Sequence, residues 1–428
     1  MEPRAVLTTA TATGECDIAI VGGGLVGASL ALALADLPLS VVVIEAVPPD
    51  TGSQPSFDAR TTALSNGTRR ILAGLGVWDD IARESTPIRR IHVSERGRFG
   101  SAVLDSGEQG IAALGYVVEN RAIGAALWRR LGRAPAVRLQ SPAVVTAVSG
   151  DDERVRLQVE SAGELRSLTA RLVVAADGAG SLVRRAAGVE AERWDYGQTA
   201  VTTTVAPERF HEHVAYERFT PAGPIAVLPI AGGRCGIIWT LAPDDAARAL
   251  ALEPAAFLAG LQHSFGWRLG RLTALGTRHA YPLAMTRAET QSGPRIAIIG
   301  NASQGLHPIA GQGFNLGLRD AATLAEVLAE AGPGADPGGS SPLARYVEWR
   351  RADRRAVIAF TDGLVRLFGS PFAPIRTVRG LGLLLFDLSP AAKTALSRLS
   401  LGFAGRLPRL ARGLPLAERT RAEEARTP

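Results

Sequence analysis

The sequence predicts an α/β fold: a Rossmann-like dinucleotide-binding domain interleaved with an antiparallel-sheet domain, followed by C-terminal helices. Three observations carry that prediction. Near the N-terminus a strand, a glycine-rich turn, a small-residue helix and a strand ending on Glu45 follow one another. Over 86–110 and 199–241 the strand–helix rhythm breaks into short strands separated by turns. Beyond 342 the pattern is helical, and Pro371, Pro374 and Pro390 divide it.

With 428 residues the chain has room for two or three domains, and 46% hydrophobic with 21% charged residues is the composition of a soluble globular protein. Cys16 and Cys235 are too few and too far apart for a disulfide scaffold or a Cys-x-x-Cys centre. Residues 1–14 carry no continuous apolar h-region, and the best candidate for a span, 380–386, is interrupted by Asp387 and far too short to cross a bilayer. A reduced, cytoplasmic chain is expected, and no metal centre. The net charge of +6 sits at one end: residues 371–428 hold ten basic and four acidic residues, while the rest of the chain balances. Such a distribution excludes a basic channel for nucleic acid and suits an anionic membrane surface or an acidic partner, with a solvated basic tail as the bland alternative.

Taken in order, Asp17-Ile-Ala-Ile-Val21 reads as a buried strand, and Gly22-Gly-Gly-Leu-Val-Gly27 as the turn into a helix that runs to about Asp36. Gly22 permits the turn, Gly24 lets the backbone approach a pyrophosphate, and Gly27 allows the helix to lie close to the strand. The next strand, 41–45, ends on Glu45, whose carboxylate suits ribose hydroxyls and repels a 2′-phosphate. No second fingerprint occurs, so separate domains for two dinucleotides are disfavoured. Arg60 follows a turn-rich loop, at the ligand edge or as a surface arginine. Residues 172–176 form a strand ending in Asp177-Gly178, with Ser181 and Arg184 beyond; Asp177 faces a ligand there or caps a helix. Strands are expected over 199–205, 214–219, 224–230 and 234–241. Residues 295–300 form a last buried strand. A loop containing Gly311-Gln-Gly313 leads from it to a helix beginning near Phe314. Two positions without side chains at a helix N-terminus suit an anionic ligand, though an ordinary glycine-rich turn reads alike. Residues 332–342, rich in Gly and Pro, connect to the final helices.

The fingerprint with Glu45, Asp58-Ala-Arg60, Asp177-Gly178 and the 300–321 stretch, in that order, resemble the single-component flavin aromatic hydroxylases over roughly residues 15–410. Gly300-Asn-Ala-Ser-Gln304, His307-Pro-Ile-Ala-Gly-Gln-Gly-Phe-Asn315, Glu217-Arg-Phe-Thr220, Gly223-Pro224 and Ser264-Phe-Gly-Trp267 narrow it to the ubiquinone-biosynthesis branch, in the likeness of the 2-polyprenyl-6-methoxyphenol hydroxylases. Where the wider family usually has aspartate and histidine, this chain has Asn301 and Gln304, a departure that matches the branch.

The resemblance implies an FAD-binding domain made of 15–85, 111–190 and 283–331, and a substrate sheet domain of 86–110 and 195–282. A C-terminal helical region over 343–410 and a disordered tail over 411–428 complete the chain. It implies that Gly22, Gly24, Gly27 and Glu45 hold the ADP half of FAD, that Arg60 and Arg121 lie by the pyrophosphate and ribityl side, and that Asp177 serves FAD and nicotinamide contacts. Asn301 would meet the ribityl or pyrophosphate, and Gly311, Gln312, Gly313, Phe314 and Asn315 the isoalloxazine, with Pro308 beside it. The implied reaction uses no protein nucleophile: reduced FAD adds dioxygen at C4a, and the hydroperoxide passes an oxygen to an electron-rich phenol ring. An external donor, NAD(P)H, supplies electrons. Phe219, Leu228, Trp239, His307 and Ile309 are candidate pocket walls, each equally readable as core. A prenylated phenol favours a lipid phase, so the implied enzyme meets it at the inner face of a membrane or in a quinone-making complex, through the basic end beyond 371. Two rivals share part of the pattern: another FAD- or NAD-dependent oxidoreductase, and a non-catalytic flavin-binding member of such a complex.

Overall fold

Apolar runs without alternation form the centre of a parallel sheet covered on both faces. In the computed structural model, which describes residues 12–48, 54, 58, 60–369, 380, 382–403 and 405–416, Ala12–Val21 lies between Glu164–Ala175 and Val41–Ile44, parallel to both. Ile296–Ile298 and Val137–Gln140 extend the sheet on either side, also in parallel. Ile18, Ile20, Val43 and Val174 are fully buried. Helices Leu25–Leu34 and Gln312–Ala331 share their core, with Leu30, Leu34, Leu318 and Leu324 packed in. An antiparallel hairpin, Val144–Gly150 and Val155–Ser161, lengthens this sheet along the outer half of Glu164–Ala175 and is not anticipated by the motif pattern.

The second sheet has nine strands. Eight run from Gln304–Gly305 through His279–Ala288, Ala191–Pro207, Cys235–Leu241, Gly223–Pro229, Val214–Thr220 and Arg90–Glu95 to Ser101–Asp105, and the ninth, Leu272–Thr273, pairs with the end of Ala191–Pro207. All its neighbouring pairs are antiparallel except one: Val214–Thr220 and Arg90–Glu95 run parallel. The exception follows from the route of the chain, because Arg90–Glu95 enters from the nucleotide side rather than through a hairpin. Two expected boundaries move for the same kind of reason. Thr86–Ile88 pairs with Gly115–Glu119 in a small sheet that also holds Thr61–Ser65, so it stands with the nucleotide side. Strand His279–Ala288 runs unbroken through residue 283.

Helix Ser340–Gly369 is fastened to helix Gln312–Ala331 by buried charges. Arg350 Nε lies 2.7 Å from Asp320 Oδ1 and its Nη1 lies 2.6 Å from Asp353 Oδ2, which Arg319 Nε also meets at 2.8 Å. Burial opposes ionisation of Asp353, yet Arg350 and Arg319 hold its carboxyl below the usual range. Asp320 Oδ2 in turn accepts from Gly300 N (3.2 Å) and Gln304 Nε2 (2.6 Å), so the clamp reaches the loop after Ile298. Order extends past the expected start of the tail at 411. Helix Arg409–Arg412 buries Leu410 and Ala411, with Leu410 against Gly74, while 417–428 lie outside the described residues.

Candidate functional site

Two helices begin at the same cleft without a side-chain cap. Leu25–Leu34 has Gly24 at its N-cap and Gln312–Ala331 has Gly311; neither cap has a side chain to accept a first-turn N–H, and neither first turn holds an acid. The first N–H groups of a helix lack intrahelical partners, so both ends present donors and a positive dipole end to whatever fills the cleft. The cleft, about 1590 Å³, runs between the parallel sheet and the second sheet.

The first glycine turn has its shape for internal reasons. Gly22 has φ +104°, and a Cβ there would sit 2.4 Å from the carbonyl oxygen of Ala176. A Cβ on Gly27 would lie 1.9 Å from the carbonyl oxygen of Gly22, so Gly27 permits the helix–turn contact and does not line the cleft. Gly24 does line it. Glu45 is buried at the cleft wall and already accepts Gly23 N at 2.6 Å and Val47 N at 2.9 Å, which fixes the carboxylate while leaving each oxygen a further lone pair.

Arg60, Arg121, Asp177 and Asn301 all reach the cleft. Arg60 pairs with Asp58 and lies over the Tyr281 ring at 4.7 Å, so it bridges the two sheets' sides. Arg121 pairs with Glu119 and is largely exposed. Asp177 Oδ2 accepts Leu182 N at 2.8 Å at the start of a helix whose N-cap is Ser181, while Oδ1 has no partner among the described residues.

At the second helix end, Pro308, Gly313 and Phe314 line the cleft. A Cβ built on Gly313 meets nothing within 4 Å, so its missing side chain leaves open space toward the cleft. Gly311, Gln312 and Asn315 do not line it. Gly311 has φ +60° and fits against Ala63, and Gln312 Nε2 donates to the Ala310 carbonyl. Asn315 is buried with its amide fully used: Oδ1 accepts Ser65 N and Thr68 Oγ1, and Nδ2 donates to the carbonyls of Ala63 and Gly311. It therefore shapes the loop rather than meeting the flavin ring. The helix also starts at Gln312, two residues before the expected position.

Strand parity and position along the sheet together sort the candidate pocket walls. Ala200, Thr202, Ile238 and Tyr281 on the second sheet line the cleft. Trp239, on the other face with Val201, Ile225 and Ile237, packs edge-on to Phe257 at 5.6 Å beneath helix Pro254–Phe265. It faces away from the cleft, a correction that alternation makes unavoidable. Leu228 and Phe219 do lie on the cleft side of the sheet but outside the cleft. Leu228 is buried with Ile88, Leu104 and Ala215, and Phe219 stacks on Phe368 at 3.5 Å. His307 is also buried away from the cleft: Nδ1 accepts Ile309 N, Nε2 has no partner among the described residues, and burial pulls the imidazole down to about 4. Ile309 is buried beside it. The residues that reading the motifs missed are the small and half-buried ones of the cleft-side strand rows, Thr202, Ala226 and Ile238, for which period-2 alternation is the available signal.

A family model described as "FAD binding domain" matches residues 15–361, and the chain belongs to that family of flavoproteins. It is an FAD-dependent monooxygenase. Within the family it stands with the ubiquinone-biosynthesis hydroxylases: it is 41% identical over 413 residues to ubiquinone hydroxylase UbiL of Rhodospirillum rubrum, covering 95% of each chain. It is 35% identical over 391 residues to 3-demethoxyubiquinol 3-hydroxylase of Escherichia coli, covering 90% of this chain and 98% of that one. The p-nitrophenol 4-monooxygenase PnpA of Pseudomonas putida shares the fold, with a TM-score of 0.76 at 20% identity over 92% of this chain and all of that one. The donor set suits FAD: two uncapped helix ends for an anionic cofactor, and at Gly313 a face open to a flat ring.

Proposed function

We propose that the chain hydroxylates the ring of a prenylated phenol on the way to ubiquinone, with dioxygen as co-substrate and NAD(P)H as the external electron donor. One observation carries the reading furthest: two glycine-capped helix ends meet one cleft under a sheet whose cleft-side residues are small or half-buried. Gly24 and the turn before it would hold the pyrophosphate, Glu45 the ribose, Arg60, Arg121, Asp177 and Asn301 the middle of the cofactor, and Pro308, Gly313 and Phe314 the flavin ring. Bound FAD supplies the reduction of dioxygen and the transfer of one oxygen atom to the ring. The N-terminal turn of helix Gln312–Ala331 stabilises negative charge on the reduced ring, and Asn315 keeps that turn in place through Ala63, Ser65 and Thr68. The covering sheet excludes water and orients the substrate.

The basic, leucine-bearing end supports a peripheral position on an anionic membrane or an acidic partner of a quinone-making assembly. Leu385, Leu388 and Leu414 are exposed there, and among the described residues no helix is long and apolar enough to cross a membrane. The test is product analysis with a short-chain prenyl phenol, with reduced donor and dioxygen, in solution and on anionic vesicles. Ring hydroxylation in both settings, with vesicle binding that weakens as salt rises, is expected. Donor oxidation that yields only hydrogen peroxide would overturn the substrate reading, and salt-independent partitioning the membrane reading.

A further inference from the structure

One acidic side chain stands on the cleft side of the second sheet with no role in holding the cofactor. Register places Glu217 opposite Ala226, Ala226 opposite Ile238, and Ile238 opposite Thr202, so the four form one row across four strands. Thr202 and Ile238 line the cleft. Members of this row are half-buried, whereas Val201, Ile225, Val227 and Ile237 on the opposite face are fully buried under helices. The row therefore carries the cleft-side face on from Thr202 and Ile238 to Glu217, and Ala226 puts only a methyl group between Glu217 and Ile238. Phe219, two residues on and on the same face, forms with Phe368 an aromatic wall beside it.

The Glu217 carboxyl makes no hydrogen bond or ion pair among the described residues. The elements around it leave its charge uncompensated. Strand Gly223–Pro229 brings no titratable group, and strand Arg90–Glu95 brings another carboxyl, Glu95, on the same face. Helix Ser340–Gly369, which supplies Phe368, carries Asp362 and Arg366 nearby, paired with each other at 2.7 Å. Arg218 points to the opposite face, where its Nη1 lies 3.4 Å from Ser94 Oγ. Burial pushes the Glu217 carboxyl up to about 7, although the residue as a whole is half-buried.

We propose that Glu217 is the catalytic base that takes the phenolic proton of the ring substrate. The inference rests on the reading of the chain as a phenol hydroxylase. The phenol O–H bond breaks and a carboxyl O–H bond forms, which leaves a phenolate whose ring is richer in electrons for the incoming oxygen atom. The proton returns from the carboxyl to the product's oxygen once that atom has been transferred, so Glu217 ends each cycle ionised. Such a base works best with a pKa near the working pH, and an uncompensated carboxylate among apolar walls meets that requirement. Asp177, Glu45 and Asp320, by contrast, are tied to backbone N–H groups or arginine and face the cofactor side or the core.

The test compares wild type with Glu217→Gln, both loaded with FAD. With the prenyl phenol, the variant's hydroxylation rate should fall about a hundredfold or more. Its KM and its rate of flavin reduction should stay within a few-fold, and the rise of kcat through pH 7 should vanish. A second readout needs no turnover: calorimetry of a non-ionisable methyl ether of the phenol in two buffers of different ionisation heat. Wild type should take up protons near pH 7 as the ether dries the carboxylate further, and Glu217→Gln should take up none. Wild-type turnover with its pH limb intact in the variant, or equal proton uptake by both proteins, would overturn the proposal. A wild type that takes up protons as described but never hydroxylates the phenol would overturn the substrate reading alone.

Discussion

The two walls of the cleft recognise by different means. The floor, built on the parallel sheet, offers main-chain N–H groups at two helix ends, and its shape depends on positions where no Cβ fits or none intrudes. The roof, built on the nine-stranded sheet, offers side chains, and its chemistry depends on which face each residue takes. A floor of this kind tolerates little change at a few glycines and much change elsewhere. A roof of this kind can change ligand by single substitutions while the fold stays. The floor therefore suits a constant cofactor, and the roof a substrate that varies between related enzymes.

The largest effects should come from the floor. Gly27→Val would drive a side chain into the Gly22 carbonyl, 1.9 Å from where its Cβ must sit, so little soluble flavoprotein is expected. Gly313→Val meets no such obstacle, since nothing lies within 4 Å of its Cβ. That variant should fold with a wild-type melting curve when stripped of cofactor, yet bind FAD at least tenfold more weakly by fluorescence titration. If both variants lose the fold, or if Gly313→Val keeps wild-type flavin affinity, the floor is not read by open backbone as described.

Neighbouring residues on one roof strand separate the two faces. Trp239→Ala empties a site packed against Phe257 and should cost about 3–5 kcal/mol of stability, with KM for the phenol unchanged. Ile238→Ala opens the half-buried cleft side and should change KM with a smaller loss of stability. Denaturant curves and steady-state kinetics on the pair would show the assignment of faces reversed if the effects exchange.

The contrast also accounts for what could be read in the sequence. Gly22, Gly24, Glu45 and Asp177 were legible because a backbone-made site demands particular residues at fixed local spacing. The expected helix end at Gly311-Gln-Gly313 likewise exists. The family resemblance points Asn315 at the flavin, yet its four hydrogen bonds go to residues some 250 positions earlier or to its own turn, and no local pattern records that. Trp239 and Leu228 look like pocket walls by composition, and only the pairing register shows which way each points. The parallel pairing of Arg90–Glu95 was invisible for the same reason: it joins segments 120 residues apart. Glu217 lies inside the Glu217-Arg-Phe-Thr220 motif, but the task proposed for it depends on a row formed across four strands.

The smallest expected effect is one of stability, and it isolates the same carboxyl without any substrate. Burial raises the folded-state value of Glu217 from 4.5 to about 7. A raised acid binds more protons folded than unfolded between those values, so the neutral group is tolerated and the ionised one is penalised. Its contribution to stability is complete below 4.5 and is lost as pH rises through 7. Glutamine keeps the shape and cannot ionise. Glu217→Gln should therefore melt with wild type at pH 4.5 and above it at pH 8, the gap opening mainly between pH 5 and 7. Melting the FAD-loaded pair over that range gives the difference directly, because every other titrating group is common to both proteins. A gap that is the same at every pH would mean that the carboxyl titrates alike in the folded and unfolded chain. The roof would then hold an ordinary solvated glutamate, and its contrast with the floor would rest on the apolar face alone.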